Sequence, residues 1–234
     1  MLGEPEPLAD AVLALAEEAV RSIDLSAHDG VHPRFGVLDV VPFTPVRAAT
    51  LDAAIRAREL VIGALGSLGI PAFRYGPLPD GTVRTLPNVR RTAFRGLMPD
   101  AGPSVPHPTA GATAVGARGA LVAWNIWLQG ATLEETIAIA ALVRSSQVRA
   151  LGLAVSGATQ VSCNLVAPTV ATPRDVYRQV EAGLTAGAHV VRCELVGLVP
   201  EAVLAAVPEA WWERLDLAAD RSVEAAAARL GLDA

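Results

Sequence analysis

The order of helix and strand patterns in residues 117–197 constrains the fold more than any other feature of the chain. Thr132 with Glu135 three residues later is a capping-box pattern that predicts a helix start, and Thr172-Pro173 predicts a second one. The predicted elements are strands at 117–128, 150–156, 160–166 and 189–197, and helices at 132–146 and 173–185. The resulting order β-α-β-β-α-β is typical of a ferredoxin-like α/β sandwich, in which a four-stranded antiparallel sheet carries two helices on one face. We therefore expect an α+β fold.

The first half of the chain predicts fewer regular elements and one long irregular stretch. Apolar spacing predicts helices at 7–24 and 50–68, and apolar runs predict strands at 36–43 and 71–75. Residues 76–111 are rich in Pro, Gly, Arg and Thr and predict only one short helix, near 86–96. Two further helices are predicted at 200–207 and 220–230. A stretch this long and irregular is more often functional or mobile than merely connecting.

Composition and charge argue against several classes of partner. The 234 residues carry a net charge of −5, and no basic block alternates with aromatic residues, so no nucleic-acid surface is expected. Cys163 and Cys193 lie far apart and outside any CxxC motif, so neither a metal site nor a disulfide framework is predicted. No apolar run approaches the ~20 residues of a membrane span, and the acidic N-terminus is unlike a signal peptide. We therefore expect a cytoplasmic protein that does not enter a membrane.

A histidine and an arginine stand at the start of the strand predicted at 36–43, in the segment His32-Pro33-Arg34-Phe35-Gly36. The imidazole of His32 can take and give a proton near neutral pH. The guanidinium of Arg34 can pair with a carboxylate through two parallel hydrogen bonds. Such a pair suits a site for a small anionic molecule. From these residues alone, a structural loop histidine beside a surface arginine is the alternative.

Four sequence blocks, taken together, resemble the formiminotransferase domain family. The blocks are His32-Pro33-Arg34-Phe35-Gly36 with Asp39 and Pro42-Phe43; Gly102-Pro103-Ser104; Gly111-Ala112-Thr113 with Gly116-Ala117-Arg118 and Asn125; and Gln160-Val161-Ser162 with Asn164-Leu165, followed by Glu194-Leu195-Val196-Gly197-Leu198-Val199-Pro200. Their order and separation fit the family across nearly the whole chain. One block alone is a weak signal, whereas four in register are a strong one.

The resemblance implies transfer of a formimino group from N-formimino-L-glutamate to tetrahydrofolate, which gives 5-formiminotetrahydrofolate and glutamate. Tetrahydrofolate is then a co-substrate, no metal is implied, and His32 matches the catalytic histidine of the family. One imidazole can accept the proton that the attacking folate nitrogen loses and return it to the departing glutamate amine. Two alternatives stay open here: a folate-binding protein without turnover, and a transferase that takes a formyl donor.

The folate-contacting loop of the family maps onto ten consecutive residues of the irregular stretch. They are Gly102, Pro103, Ser104, Val105, Pro106, His107, Pro108, Thr109, Ala110 and Gly111. Glycines permit close backbone approach to a flat pterin, and prolines keep the loop pre-shaped. Family members tend to carry an aromatic residue where Ala110 stands. We expect His107 to face solvent rather than to act in catalysis, and a plain Pro/Gly connector is the alternative for the whole loop.

Arginines are expected to bind the implied substrates, because both substrates carry carboxylates. Arg34, Arg47 and Arg118 lie in or beside the matching blocks and are candidate anion-binding residues. The arginines at positions 90, 91 and 95 are interpreted as the solvated face of a short helix. Arg34, Arg47 and Arg118 are expected to attract the anionic substrates electrostatically.

Three polar residues on predicted strands complete the candidate site. Asp39 is expected to orient the histidine or a substrate amine, with a buried structural carboxylate as the equal alternative. Asn125 and Asn164 are candidate hydrogen-bonding partners of the pterin edge. Residues interpreted as structural are His28, His189 and the pair Trp211-Trp212.

The family domain is a duplication of two ferredoxin-like halves, and its first half opens with a strand, a helix and a β-hairpin before the counterpart of the helix at 7–24. The resemblance therefore implies a partial subdomain at 1–116, truncated at its N-terminus, and a C-terminal subdomain at 117–234. A bare strand edge in the first half favours pairing with another chain, so a homodimer is one expectation. Three explanations compete for the implied truncation of the first half: a misplaced start codon, missing elements that a second chain supplies, or a degenerate family member.

Overall fold

The computed structural model describes residues 1–29, 34–46, 49–155 and 157–231. The chain divides into two compact units, residues 1–118 and 119–234, and each unit contains its own four-stranded sheet. The expected α+β class is therefore confirmed. No helix in the described ranges is long and apolar enough to cross a membrane.

The described part of the first unit combines three α-helices and the 3-10 helix Leu25–Ala27 with a mixed sheet. Its elements are α1 (Pro5–Ser22), β1 (Val40–Phe43), α2 (Leu51–Ser67), β2 (Ala72–Pro77), β3 (Val83–Arg84), α3 (Leu86–Thr92) and β4 (Thr113–Ala117). The strand order is β1-β4-β2-β3, in which β4 is parallel to both neighbours and β3 pairs antiparallel with β2. Because β1, β4 and β2 are parallel, the described part of this unit differs from the antiparallel sheet expected for a ferredoxin-like half.

The buried side chains of α1 and α2 pack against one face of this sheet. The side chain of Thr50 caps α2 by accepting the backbone N–H of Ala53. Val61, Ile62 and Leu65 lie on the buried face of this helix. These side chains pack in one apolar cluster with residues of α1, β1 and β4. Burial of one such side chain stabilises the fold by roughly 1.5–3 kcal/mol.

Two strand predictions need correction. The strand predicted at 36–43 begins only at Val40, because residues 36–39 turn so that the carboxylate of Asp39 accepts the backbone N–H of Phe35. The strand predicted at 117–128 begins only at Val122, as β5 (Val122–Gln129). Within the predicted range only Ala117 belongs to β4, which was not predicted and which lies in the other sheet. The apolar character of β4 comes from burial between β1 and β2, which a pattern read along the chain does not reveal.

The second unit has the element order β-α-β-β-α-β, followed by two short helices. Its elements are β5, α4 (Leu133–Val143), β6 (Val148–Val155), β7 (Ala158–Leu165), α5 (Pro173–Gly183), β8 (His189–Val196), α6 (Glu201–Ala205) and α7 (Val223–Arg229). The strands are antiparallel in the order β6-β7-β5-β8. Capping boxes open α4 at Thr132 and α5 at Thr172.

Alternation along β5 separates the two faces of this sheet. Trp124 and Ile126 are fully buried and pack in one cluster with side chains of α4 and α5. Asn125 and Trp127, which alternate with them, are half-buried on the opposite face. Polar residues predicted to bind substrate therefore lie on the sheet face that points away from α4 and α5.

Candidate functional site

Two of the predicted site residues, His32 and Arg47, lie outside the described ranges. The chain before residue 30 and the chain from Arg34 onward are described, and Arg34 is exposed. The candidate site is therefore built from the residues that flank His32 and from the loop at 102–111.

Gly36 pairs with Gly111 and so joins the segment after His32 to the end of the predicted folate loop. The N–H of Ala112 donates to the carbonyl of Phe35 at 3.1 Å, and the N–H of Val37 donates to the carbonyl of Ala110 at 3.0 Å. A Cβ added to Gly36 would collide with the carbonyl oxygen of Ala112. This close approach explains why glycine stands at position 36.

The same loop also contacts the chain that precedes residue 30. The N–H of Leu25 donates to the carbonyl of Thr109 at 2.7 Å. Residues 109–112 therefore hold main-chain hydrogen bonds to both described flanks of the His32 segment. Two of the four matching blocks, which are more than sixty residues apart in the sequence, meet at this point of the fold.

His107 closes the loop from within. The backbone N–H of His107 donates to the carbonyl of Gly111 at 2.8 Å, and the backbone N–H of Gly111 donates to the carbonyl of His107 at 2.9 Å. Its ring Nδ1 accepts the N–H groups of Ala110 at 3.0 Å and Thr109 at 3.3 Å. These two bonds require an unprotonated Nδ1. The expectation of a solvent-facing ring needs correction, because His107 is half-buried and holds the loop closed.

The first part of the loop is exposed, whereas its end is buried. Gly102, Pro103, Ser104, Val105, Pro106 and Pro108 are exposed, Thr109 is half-buried, and Ala110 and Gly111 are buried. Gly102 has φ +83°, and a Cβ there would lie 2.7 Å from the carbonyl oxygen of Ile70. The buried end fixes the loop to the sheet, and the exposed part offers proline rings and main-chain groups to a ligand.

Asp39 links the segment after His32 to α3. Its Oδ1 accepts the N–H of Phe35 at 2.8 Å, and its Oδ2 accepts from the guanidinium of Arg90 at 2.6 Å. The ring of Phe35 meets the ring of Phe73 edge-on, with centroids 5.5 Å apart. Asp39 therefore acts on the main chain near His32. The interpretation of Arg90 as a solvated residue is wrong, because 70% of its side chain is shielded and it is ion-paired with Asp39.

Arg118 lies at the other end of β4 from Gly111. Six residues separate them, and five of these form β4, which rises by roughly 3.3 Å per residue. The guanidinium of Arg118 is hydrogen-bonded to the hydroxyl of Tyr75, whose pKa is raised above its usual value because the ring is buried. The structure therefore does not bring Arg118 together with the loop at 102–111, and Arg118 supports the phenol of Tyr75 instead.

A second polar cluster lies on the face of the second sheet that points away from its helices. Glu194 on β8 accepts the amide of Asn125 at 3.2 Å and the indole N–H of Trp127 at 2.8 Å, both on Oε2. These bonds lower the pKa of Glu194, with the Trp127 bond as the largest cause. The guanidinium of Arg192 stacks on the Trp127 ring at 4.4 Å. Asn164 is exposed on the same face, in the register position opposite Ala123.

The sequence reasoning missed three residues of these clusters: Arg90, Trp127 and Glu194. Glu194 stands in the fourth matching block, and Trp127 alternates with Asn125 on one strand. These two signals pointed to the cluster. No spacing connects Arg90 to Asp39, because the two residues are brought together only by the packing of α3.

Neither cysteine is a reactive thiolate, because both thiols are buried. Burial raises the pKa of Cys163 and that of Cys193 to about 12. Among the described residues no group of three or more His, Cys, Asp and Glu side chains is arranged to hold a metal ion.

Comparison with known proteins shows the family. Residues 1–118 match the family model of the formiminotransferase domain, N-terminal subdomain. A glutamate formimidoyltransferase of Streptococcus pyogenes serotype M1 is 32% identical over 231 residues, which cover 89% of this chain and 76% of that protein. One of Thermoplasma acidophilum is 33% identical over 219 residues, covering 83% and 71%.

Longer relatives match as well. The formimidoyltransferase-cyclodeaminase of Sus scrofa is 33% identical over 260 residues, which cover 99% of this chain and 48% of that protein. The chain thus spans about half the length of this relative. The matching blocks, the family model and the relatives agree, and the chain belongs to the formiminotransferase domain family.

Proposed function

We propose that the chain transfers a formimino group from N-formimino-L-glutamate to tetrahydrofolate, giving 5-formiminotetrahydrofolate and glutamate. Family membership supports the formimino transfer, and two relatives are named glutamate formimidoyltransferase. The observation that carries the proposal is the pairing of Gly36 with Gly111. It joins the segment after His32 to the loop that we propose binds folate.

His32 is the proposed proton carrier of this reaction. The folate nitrogen attacks the formimino carbon and gives its proton to the imidazole, and a tetrahedral intermediate forms. The bond from that carbon to the glutamate nitrogen then breaks, and the imidazole returns the proton to the departing amine. No net proton is gained or lost, so one group with a pKa near ~6.5 suffices for both steps.

The proposed binding roles follow the described contacts. The exposed proline-rich part of the loop at 102–108 lies against the pterin, and Arg34, which is exposed, pairs with a substrate carboxylate. Asp39 holds the main chain at Phe35 and so positions the histidine segment. Arg47 remains a proposed anion-binding residue on its sequence position alone, and for Arg118 the bond to Tyr75 favours a structural role.

Asn125, Asn164 and Glu194 form a proposed hydrogen-bonding set for a pterin edge within the second unit. A pterin presents an amino group and a ring N–H on one edge, and a carboxylate oxygen that has no other donor can accept one of them. Oε2 of Glu194 is held by Asn125 and Trp127, whereas Oε1 has only the guanidinium of Arg192, 3.9 Å away, among the described residues. Oε1 is thus available to a ligand.

We also propose the finer fold assignment. Residues 117–234 are one ferredoxin-like half of a duplicated domain, and residues 1–116 are part of the other half. The antiparallel strand order β6-β7-β5-β8 supports the assignment of the second half.

The test is a direct assay of transfer. The full chain is incubated with N-formimino-L-glutamate and tetrahydrofolate, and the folate products are identified by mass spectrometry. We expect 5-formiminotetrahydrofolate only when both substrates are present. A parallel reaction with N-formyl-L-glutamate tests the donor, and preference for the formyl compound would contradict the proposal. Binding of tetrahydrofolate without any product would identify a folate-binding protein instead.

A further inference from the structure

Three arginine side chains surround the indole ring of Trp211 in the second unit. Arg174 and Arg178 lie one turn apart on α5, and Arg214 follows the short 3-10 helix Glu209–Trp211. Their guanidinium carbons lie 5.1, 5.3 and 5.5 Å from the centroid of the indole. Three positive charges thus gather around one ring in a chain whose net charge is −5.

These guanidinium groups have no anionic partner among the described residues. Neither a hydrogen bond nor an ion pair joins any of the three to another residue of the described ranges, and Nε of Arg174 is buried without a partner. Two carboxylates of the same helix are already engaged: Asp175 caps α5 at Thr172, and Glu181 accepts the hydroxyl of Tyr177 at 3.3 Å. Contacts with the indole do not neutralise the mutual repulsion of the three cations.

A cavity of about 640 Å³ opens beside the cluster. Arg214 connects the arginine cluster to the cavity, because it contacts Trp211 and also lines the cavity wall. Tyr177 lines the same wall, and its ring lies 5.9 Å from the Arg214 guanidinium. This volume falls in the range of small-molecule sites, which run from roughly 300 to 1,000 Å³. Three carboxylates, Glu181, Glu213 and Asp216, and a second arginine, Arg192, also line the wall. The side of the cavity that suits an anion is therefore the one where Arg214 meets Trp211.

We propose that Arg174, Arg178 and Arg214 form a binding site for a small, multiply charged anion of the phosphate class, seated against Trp211 at the edge of this cavity. A guanidinium fork matches the spacing of phosphate oxygens and donates two parallel hydrogen bonds. Three such forks call for a ligand with at least two negative charges. The formimino transfer proposed above involves no phosphate group, so a phosphate-class ligand is not one of its two substrates.

The test is calorimetric titration of the full chain with inorganic diphosphate at low ionic strength, because salt screens exposed charges. We expect saturable binding that weakens about tenfold or more when all three arginines are replaced, in Arg174→Gln/Arg178→Gln/Arg214→Gln. The matched control is Arg91→Gln/Arg95→Gln/Arg149→Gln, which changes the net charge equally at exposed arginines outside the cluster. This control is expected to keep the wild-type affinity.

Several results would overturn the proposal. Absence of saturable binding by the wild type would do so, and an equal loss in both triple variants would show that net charge alone attracts the anion. Citrate, a tricarboxylate, is titrated in parallel, and tighter binding of citrate than of diphosphate would refute the phosphate class. If the first triple variant does not fold, as judged by circular dichroism, Arg178→Gln/Arg214→Gln replaces it, because both side chains are exposed.

Discussion

The guanidinium of Arg90 donates to Oδ2 of Asp39 at 2.6 Å, and the other carboxylate oxygen of Asp39 holds the N–H of Phe35 at 2.8 Å. One carboxylate thus connects α3 to the main chain three residues after His32. Among the described residues, the ion-pair partner of Arg90 is Asp39. We infer that Arg90 positions the histidine segment through Asp39.

Arg90→Gln is expected to lower the kcat of formimino transfer about tenfold and to leave the KM values near those of the wild type. Loss of a hydrogen bond to a charged group costs roughly 1.5–3 kcal/mol, which is enough for such an effect if the segment shifts. Steady-state kinetics of Arg90→Gln and Arg90→Lys provide the measurement, and the lysine variant should recover part of kcat. Arg91→Gln, exposed on the same helix, is the control. Equal kcat values in Arg90→Gln and Arg91→Gln would refute the positioning role.

His107→Ala is expected to raise the KM for tetrahydrofolate several-fold, because the N–H groups of Thr109 and Ala110 lose their acceptor and the loop opens. His107→Asn is the matched variant, since the amide oxygen of asparagine can replace Nδ1 as acceptor. Kinetics at varied folate concentration should therefore place His107→Asn close to the wild type. A KM that is unchanged in His107→Ala would show that the loop does not bind folate in this conformation.

The second unit could be predicted in outline because its signals are local. The capping box at Thr132, the N-cap Thr172 before Pro173 and the strand that carries Asn125 each depend on residues close in sequence. The first unit depends on distant pairing. The strand β4 is defined by its parallel neighbours β1 and β2, and Arg90 meets Asp39 across 51 residues. The motif residues of the site were thus readable from the sequence, whereas the residue that supports Asp39 was not.

Glu194→Gln tests the electrostatics of the second cluster. The bonds from Trp127 and Asn125 lower the pKa of Glu194 below its ordinary 4.5. A carboxylate whose pKa is lower in the folded state than in the unfolded state stabilises the fold at pH values above its unfolded pKa. This stabilisation is lost as the pH falls through the folded pKa. We expect the free energy of unfolding of the wild type to fall, relative to that of Glu194→Gln, as the pH drops below about 4.5. Urea unfolding at several pH values provides the measurement.

The same series on Glu134→Gln, which is exposed on α4, shows the background effect of removing one carboxylate. A wild-type stability that runs parallel to that of Glu194→Gln through the whole acid range would contradict the described bonds to Asn125 and Trp127.

The two cysteines are expected to be inert in the native protein. Their side chains are 2% and 6% exposed, and burial raises both pKa values to about 12, so neither thiol ionises near pH 8. Iodoacetamide at pH 8 should therefore add no mass to the native chain and two adducts after denaturation. Rapid native modification with loss of transfer activity would point to a thiol in the reaction.

The most direct test of the account is the turnover of His32→Ala beside His28→Ala, a control at an exposed histidine of the same region. Single-turnover formation of 5-formiminotetrahydrofolate is measured at saturating substrates. Loss of general acid–base catalysis predicts a rate lower by roughly 10²–10⁴-fold in His32→Ala, with His28→Ala at the wild-type rate. Equal rates in His32→Ala and the wild type would contradict the proposed role of His32.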